Sequence, residues 1–112
     1  MMSTIILFTR NGIGTAPNEL SQTLVKNYLN LLKDEKKLPV ALLFYGEGVK
    51  LVCEDSQVLD SLKLLENKNI KLIACKTCLN YFGISEKIKV GQAGTMADIL
   101  TFQLEADKVI SV

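Results

Sequence analysis

Two cysteines three positions apart, Cys75 and Cys78, are the side chains of this 112-residue chain whose type and spacing suggest chemistry rather than packing. They follow a short apolar run, Lys71 to Ala74, and enclose Lys76 and Thr77; an apolar-polar segment then closes at Gly83. A C-x-x-C spacing directly after a strand puts two thiols at the mouth of a strand-to-helix turn. There the first helical amides and the helix dipole can stabilise a thiolate. Such a thiolate either attacks a sulfur donor to carry a persulfide or cycles with its neighbour as a disulfide. Cys75 sits at the strand end, beside those amides, and Cys78 lies one turn along, close enough to resolve a sulfenate or persulfide on Cys75. This reading predicts a depressed pKa and partial solvent exposure for Cys75. The competing reading is two small apolar residues that fill a strand–helix junction.

The rest of the inventory narrows the chemistry. With no histidine in the chain, a Cys-His acyl-transfer pair is excluded. One C-x-x-C and a single further cysteine, Cys53, fall short of four zinc ligands within one subunit. No metal and no cofactor is therefore expected. Asn11, Gly12 and Gly14 precede a helix start and could form an anion-binding nest. They lack the third glycine of the dinucleotide fingerprint and the Gly-Lys-Ser/Thr of a phosphate loop, and a tight turn accounts for them as well. Gly48, at the end of the second strand, together with Lys76 and Thr77, completes the candidate crevice and anion-binding set. Arg10 is a further anion contact, and Tyr81 and Phe82 form either an aromatic wall for a ligand or a packing surface.

The elements that must position these residues alternate. Thr4 to Thr9 is a continuous apolar run, suited to a strand buried on both faces. A turn-rich loop, 10–17, leads to Asn18 as a helix N-cap. The segment to about Lys33 places Leu20, Leu24, Val25, Tyr28, Leu29 and Leu32 on one face at helical spacing. Pro39 opens a second strand, Val40 to Tyr45. Residues 49–53 fit either an extended piece or one helical turn. Ser56 caps a helix to about Asn67, with Val58, Leu59, Leu62 and Leu65 inward. Strand three is Lys71 to Ala74, followed by a short helix, Thr77 to Tyr81, and a fourth strand, Ile88 to Val90. Thr95 and Asp98 form a capping-box pattern ahead of a helix that buries Met96, Ile99, Leu100 and Leu104. Lys108 to Val112 is the last strand.

Strand–helix alternation without hairpin signals predicts an α/β three-layer sandwich: a mainly parallel five-stranded sheet joined by right-handed crossovers. The commonest five-strand solution is the flavodoxin-like order 2-1-3-4-5, with its switch point between the carboxyl ends of strands one and three. That order would set loop 10–17 and the Cys75–Cys78 turn on opposite sides of one crevice. The length fits one domain over residues 1–112. A net charge of +1, with no basic block interleaved with aromatics, argues against nucleic acid. The absence of a long apolar run or signal-peptide layout argues against a membrane and for a reducing, cytoplasmic setting.

Taken together, these residues resemble a family. Gly12 and Gly14 followed by Asn18-Glu19-Leu20, then Phe44-Tyr45 with Gly48-Val49-Lys50-Leu51, then Cys75, Thr77, Cys78 and Leu79, then Val90-Gly91 with Met96, are similar in order and spacing to the DsrE/DsrF-like domain. The resemblance is nearest to the C-terminal domain of the YedF-type sulfurtransferase-like proteins linked to selenium metabolism. It implies a small flavodoxin-like domain assembling as a dimer, trimer or hexamer. It also implies a loop cysteine after strand three, here Cys75, that passes persulfide sulfur or selenium between donor and acceptor proteins or small thiols. A non-enzymatic oligomeric binding module for a small anion or a protein, and a thiol–disulfide redox protein, are the alternatives.

Overall fold

The computed structural model describes residues 3–112. Five strands form one sheet in the order β4-β3-β2-β1-β5, and every adjacent pair is parallel. The strands are β1 (Thr4–Phe8), β2 (Ala41–Phe44), β3 (Lys71–Cys75), β4 (Gln92–Gly94) and β5 (Lys108–Ser111). Between them run α1 (Asn18–Leu32), a 3₁₀ helix (Gly46–Val52), α2 (Leu59–Glu66), α3 (Lys76–Tyr81), a 3₁₀ turn (Ser85–Lys87) and α4 (Met96–Glu105).

This order corrects the expected 2-1-3-4-5. The first three crossovers all step the same way across the sheet, so β2, rather than β3, is the central strand. Its four residues, Ala41 to Phe44, have no solvent exposure at all. Right-handed connections that step one way put α1 and α2 on one face. The last connection steps back across the whole sheet to β5, beside β1, so α4 takes the opposite face, where Asp98 and Phe102 stand beside Ile73. On the α1 face, Phe8 stacks on Phe44 at 5.1 Å between ring centroids and meets Tyr28 edge-on at 6.2 Å. Such aromatic pairs add to the area they bury.

Local readings fare unequally. Thr95 Oγ1 accepts the Asp98 N–H at 3.2 Å and Asp98 Oδ2 accepts the Thr95 N–H at 2.9 Å, the capping box expected there. Asn18 is the first helical residue rather than the cap, a place held by Pro17, whose fixed φ suits the turn. Ser56 Oγ accepts the Val58 N–H at 3.3 Å and shapes the turn that precedes α2. The fourth strand is Gln92–Gly94, not Ile88–Val90; Ile88 makes an isolated antiparallel bridge with Cys53 instead. Of the set expected to be buried on α4 only Ile99 is, while Met96, Leu100 and Leu104 lie exposed. On α1, likewise, Leu20 faces solvent and the inward position goes to Ser21.

Candidate functional site

β2 between β1 and β3 changes what lies next to the cysteines. The Gly46–Val52 3₁₀ helix leaves the carboxyl end of β2 and stands between loop 10–17 and the turn after β3. Gly48 seats it: a Cβ there would lie 2.0 Å from the Phe8 carbonyl oxygen, so only a bare Cα lets the helix rest on the end of β1. The Tyr45 N–H reinforces the contact by donating to the same oxygen at 3.1 Å. So placed, the Gly46 N–H donates to Cys78 Sγ at 3.1 Å.

The two cysteines have unlike surroundings. Cys75, the last residue of β3, is completely buried, which overturns the partial exposure expected of it. Strand alternation puts it on the same face as Ile73, the α4 face, and its register partner is Gly94 of the neighbouring strand. A strand end flanked by β2 alone would be open; β4 and the start of α4 close this one. Cys78 is half-buried, in the first turn of α3. Burial pushes its thiol pKa up, the neighbouring Cys75 thiol pushes the same way, and the Gly46 amide pulls it down. α3 has only six residues, so its dipole is short, and the amide that reaches the sulfur comes from the β2 turn instead. The third thiol, Cys53, is buried, with Sγ 3.4 Å from the Val49 carbonyl oxygen. Burial and the Glu54 charge raise its pKa, opposed by Lys87.

The remaining candidates separate from the thiols. Gly12, with φ +146°, lies so close to α1 that a Cβ would meet Ser21 Oγ at 2.2 Å. The Ser21 hydroxyl donates to the Ile13 carbonyl at 3.0 Å, and the Ile13 N–H donates to the Ser21 carbonyl at 3.2 Å. The Ile13 amide thus serves the docking of the loop on α1. The Asn11 carbonyl accepts the Gln22 side-chain amide, Gly14 is an exposed turn residue with φ +78°, and Arg10 donates to Thr15 Oγ1 at 3.1 Å. Lys76 and Thr77 are exposed on α3. Tyr81 is 84 % exposed and faces outward, while Phe82, which it meets edge-on, is half-buried and lines the hollow that reaches Cys53.

One residue that sequence reasoning left unassigned, Lys50, organises the surface here. It pairs with Glu47 at 2.8 Å and sits 4.6 Å from the Phe82 ring centroid. It divides two hollows, one of about 300 Å³ reaching Cys53 and Lys87, and one of about 390 Å³ reaching Arg10 and Thr15. Neither is lined by Cys75 or Cys78. The Glu47–Lys50 spacing of three is the signal for this pairing, readable once the segment is known to be helical. Among the described residues no cluster of three or more His, Cys, Asp or Glu side chains is placed to hold a metal.

A parallel α/β sandwich with a thiol pair at the carboxyl end of its sheet belongs to the flavodoxin-like class. The model of the DsrE/DsrF-like family matches residues 2–112, and the chain belongs to that family. Among solved structures, the YchN protein of E. coli superposes with a TM-score of 0.71 at 22 % identity, covering 99 % of this chain and 100 % of that one. A protein of unknown function from Methanobacterium thermoautotrophicum, MTH1491, does so with 0.71 at 17 %, over 100 % of both chains. Another, BT1422 from Bacteroides thetaiotaomicron, gives 0.65 at 20 %, over 98 % of this chain and 95 % of that one. At these identities the likeness establishes the fold. No curated protein gives a significant match. Among the described residues no helix is long and apolar enough to cross a membrane.

Proposed function

We propose that this protein is a sulfur carrier of the relay type, with Cys78 as the thiol that receives sulfur and Cys75 as the thiol behind it. The observation that carries the reading is the Gly46 N–H on Cys78 Sγ, at the carboxyl end of a parallel sheet where such folds place their sites. In the transfer, the Cys78 thiolate attacks the outer sulfur of a donor persulfide. The donor's S–S bond breaks, a new S–S bond forms on Cys78, and the donor leaves as a thiol. The Gly46 amide supports negative charge on the sulfur that Cys78 itself contributes. The carrier role expected for Cys75 needs access that a fully buried thiol lacks, so it moves to its half-buried neighbour.

A second reading, a thiol–disulfide couple, is favoured by the position of the Cys75 thiol, near enough to Cys78 to raise its pKa. Mass spectrometry of the protein incubated with a small persulfide donor separates the two. Sulfur transfer adds about 32 Da per sulfur atom, whereas disulfide formation on mild oxidation removes about 2 Da. If neither appears, both give way to a binding module. A selenium donor supplied in place of sulfur tests the kinship with the YedF-type proteins. The partners in this proposal are a persulfide donor and a thiol acceptor in the reducing cytoplasm. Self-association is part of it too, supported by the exposed Met96, Leu100 and Leu104 on α4.

A further inference from the structure

The opposite end of the sheet holds a larger and more apolar hollow than either beside Lys50. α1 lies over β1 and β2, and the final crossover uses the other face, so among the described residues no helix covers β5 on the α1 side. A groove of about 740 Å³ is left there, within the roughly 300–1,000 Å³ of small-molecule sites. Its floor is Ile6, Val40 and Ile110, which share one face by register and alternation. The overhang is Tyr28 and Leu32 of α1 with Leu38 of the following loop.

Among the described residues three lysines, Lys36, Lys37 and Lys108, line the groove, and no carboxylate side chain does. Each is exposed, and none is in an ion pair among the described residues, whose salt bridges are Lys50–Glu47 and Lys87–Glu54. The neighbouring Asp107 is engaged: its carboxylate accepts the Ser3 N–H at 2.8 Å. An apolar slot with unpaired cations and no anion is complementary to a tail that ends in negative charge. Its volume suits a single chain rather than a helix laid in a groove.

We propose that this groove binds an amphipathic carboxylate, an alkyl chain of fatty-acid type entering as a monomer between α1 and β5 with its carboxylate among Lys36, Lys37 and Lys108. The site is independent of the thiols, which lie at the other end of the strands.

The test is titration of the full chain with dodecanoate below its micelle concentration, followed by calorimetry and by methyl NMR of Ile110 and Leu38. Saturable one-to-one binding is expected, with shifts centred on those methyls. Dodecyltrimethylammonium, the same tail with the opposite charge, should bind at least about tenfold more weakly, as should dodecanoate to the Lys37→Glu/Lys108→Glu double variant. Both lysines are exposed, so that variant keeps the fold. Absence of saturation, equal binding of the two tails, or shifts located away from the groove would each overturn the proposal. So would binding only to phosphatidylglycerol vesicles, which identifies a membrane surface instead.

Discussion

The two ends of this sheet are built in opposite ways. At the carboxyl end, backbone is pressed against backbone: Gly48 on the Phe8 carbonyl and Gly12 on Ser21, with the thiols of Cys75 and Cys78 held beneath and beside the resulting turns. At the amino end, α1 stops short of β5, and Val40 and Ile110 keep apolar surface near solvent under a fringe of lysines. The closed end can set the position of a sulfur atom to within a hydrogen bond. The open end fixes no donor or acceptor and selects only by shape and charge. The difference follows from one topological fact, the return of the chain across the sheet to β5, which leaves one face short of a helix.

The contrast breaks most visibly in stability. Phe44→Ala at the closed end should cost about 3–5 kcal/mol, because the ring is fully buried against Phe8. Ile110→Ala at the open end should cost only about 1 kcal/mol, since that side chain is half-buried. Urea midpoints of the two variants check the ratio; equal losses would mean that the amino end is as tightly packed as the other. Gly48→Ala comes next, at about 1–3 kcal/mol, because the Phe8 carbonyl must move to admit a Cβ. It should also loosen the Gly46–Val52 helix, so Cys78 should alkylate faster in that variant than in Ile110→Ala.

A smaller effect sharpens the account of the thiols. Cys75→Ala removes the neighbouring thiol that pushes the Cys78 pKa up, so iodoacetamide should modify Cys78 faster at neutral pH than in the parent chain. An unchanged pH–rate profile would detach the two thiols from one another. Smallest is the alkaline limb of stability. Cys53, Cys78 and Tyr28 all have raised pKa values, with burial as the leading cause. Each neutral form favours the native state below that group's unfolded pKa, about 8.5 for a thiol and about 10 for a tyrosine. That contribution falls as pH rises through it and on past the folded values. Cys53→Ala should flatten the decline in melting temperature above pH 8.5 or so, measured by circular dichroism.

How much of this the sequence announced depends on the distance over which each feature is decided. The four longer strands and the capping box of α4 are local, set by apolar runs and by a three-residue spacing, and they stand close to where the sequence puts them. The fourth strand was misplaced because Gln92-Ala93-Gly94 has no apolar pattern; it pairs through backbone alone, while Ile88 and Val90 supply the apolar run beside it. The burial of Cys75 was illegible for a longer-range reason. It depends on β4 and α4 closing the end of β3, and strand order is decided by contacts tens of residues apart. Lys50 went unassigned because its two partners, Glu47 and Phe82, meet it only when the segment after β2 coils. The stripe on α4 misled in the other direction: helical spacing marks an apolar face, and says nothing of whether this chain covers it.

The central claim is that Cys78, not Cys75, meets the donor. Incubation of the parent chain, Cys78→Ser and Cys75→Ser with a small persulfide donor, followed by intact-mass measurement and peptide mapping, tests it directly. The account predicts an added mass of about 32 Da on Cys78 in the parent chain, its loss in Cys78→Ser and its survival in Cys75→Ser. Sulfur mapped to Cys75 and retained in Cys78→Ser would contradict it.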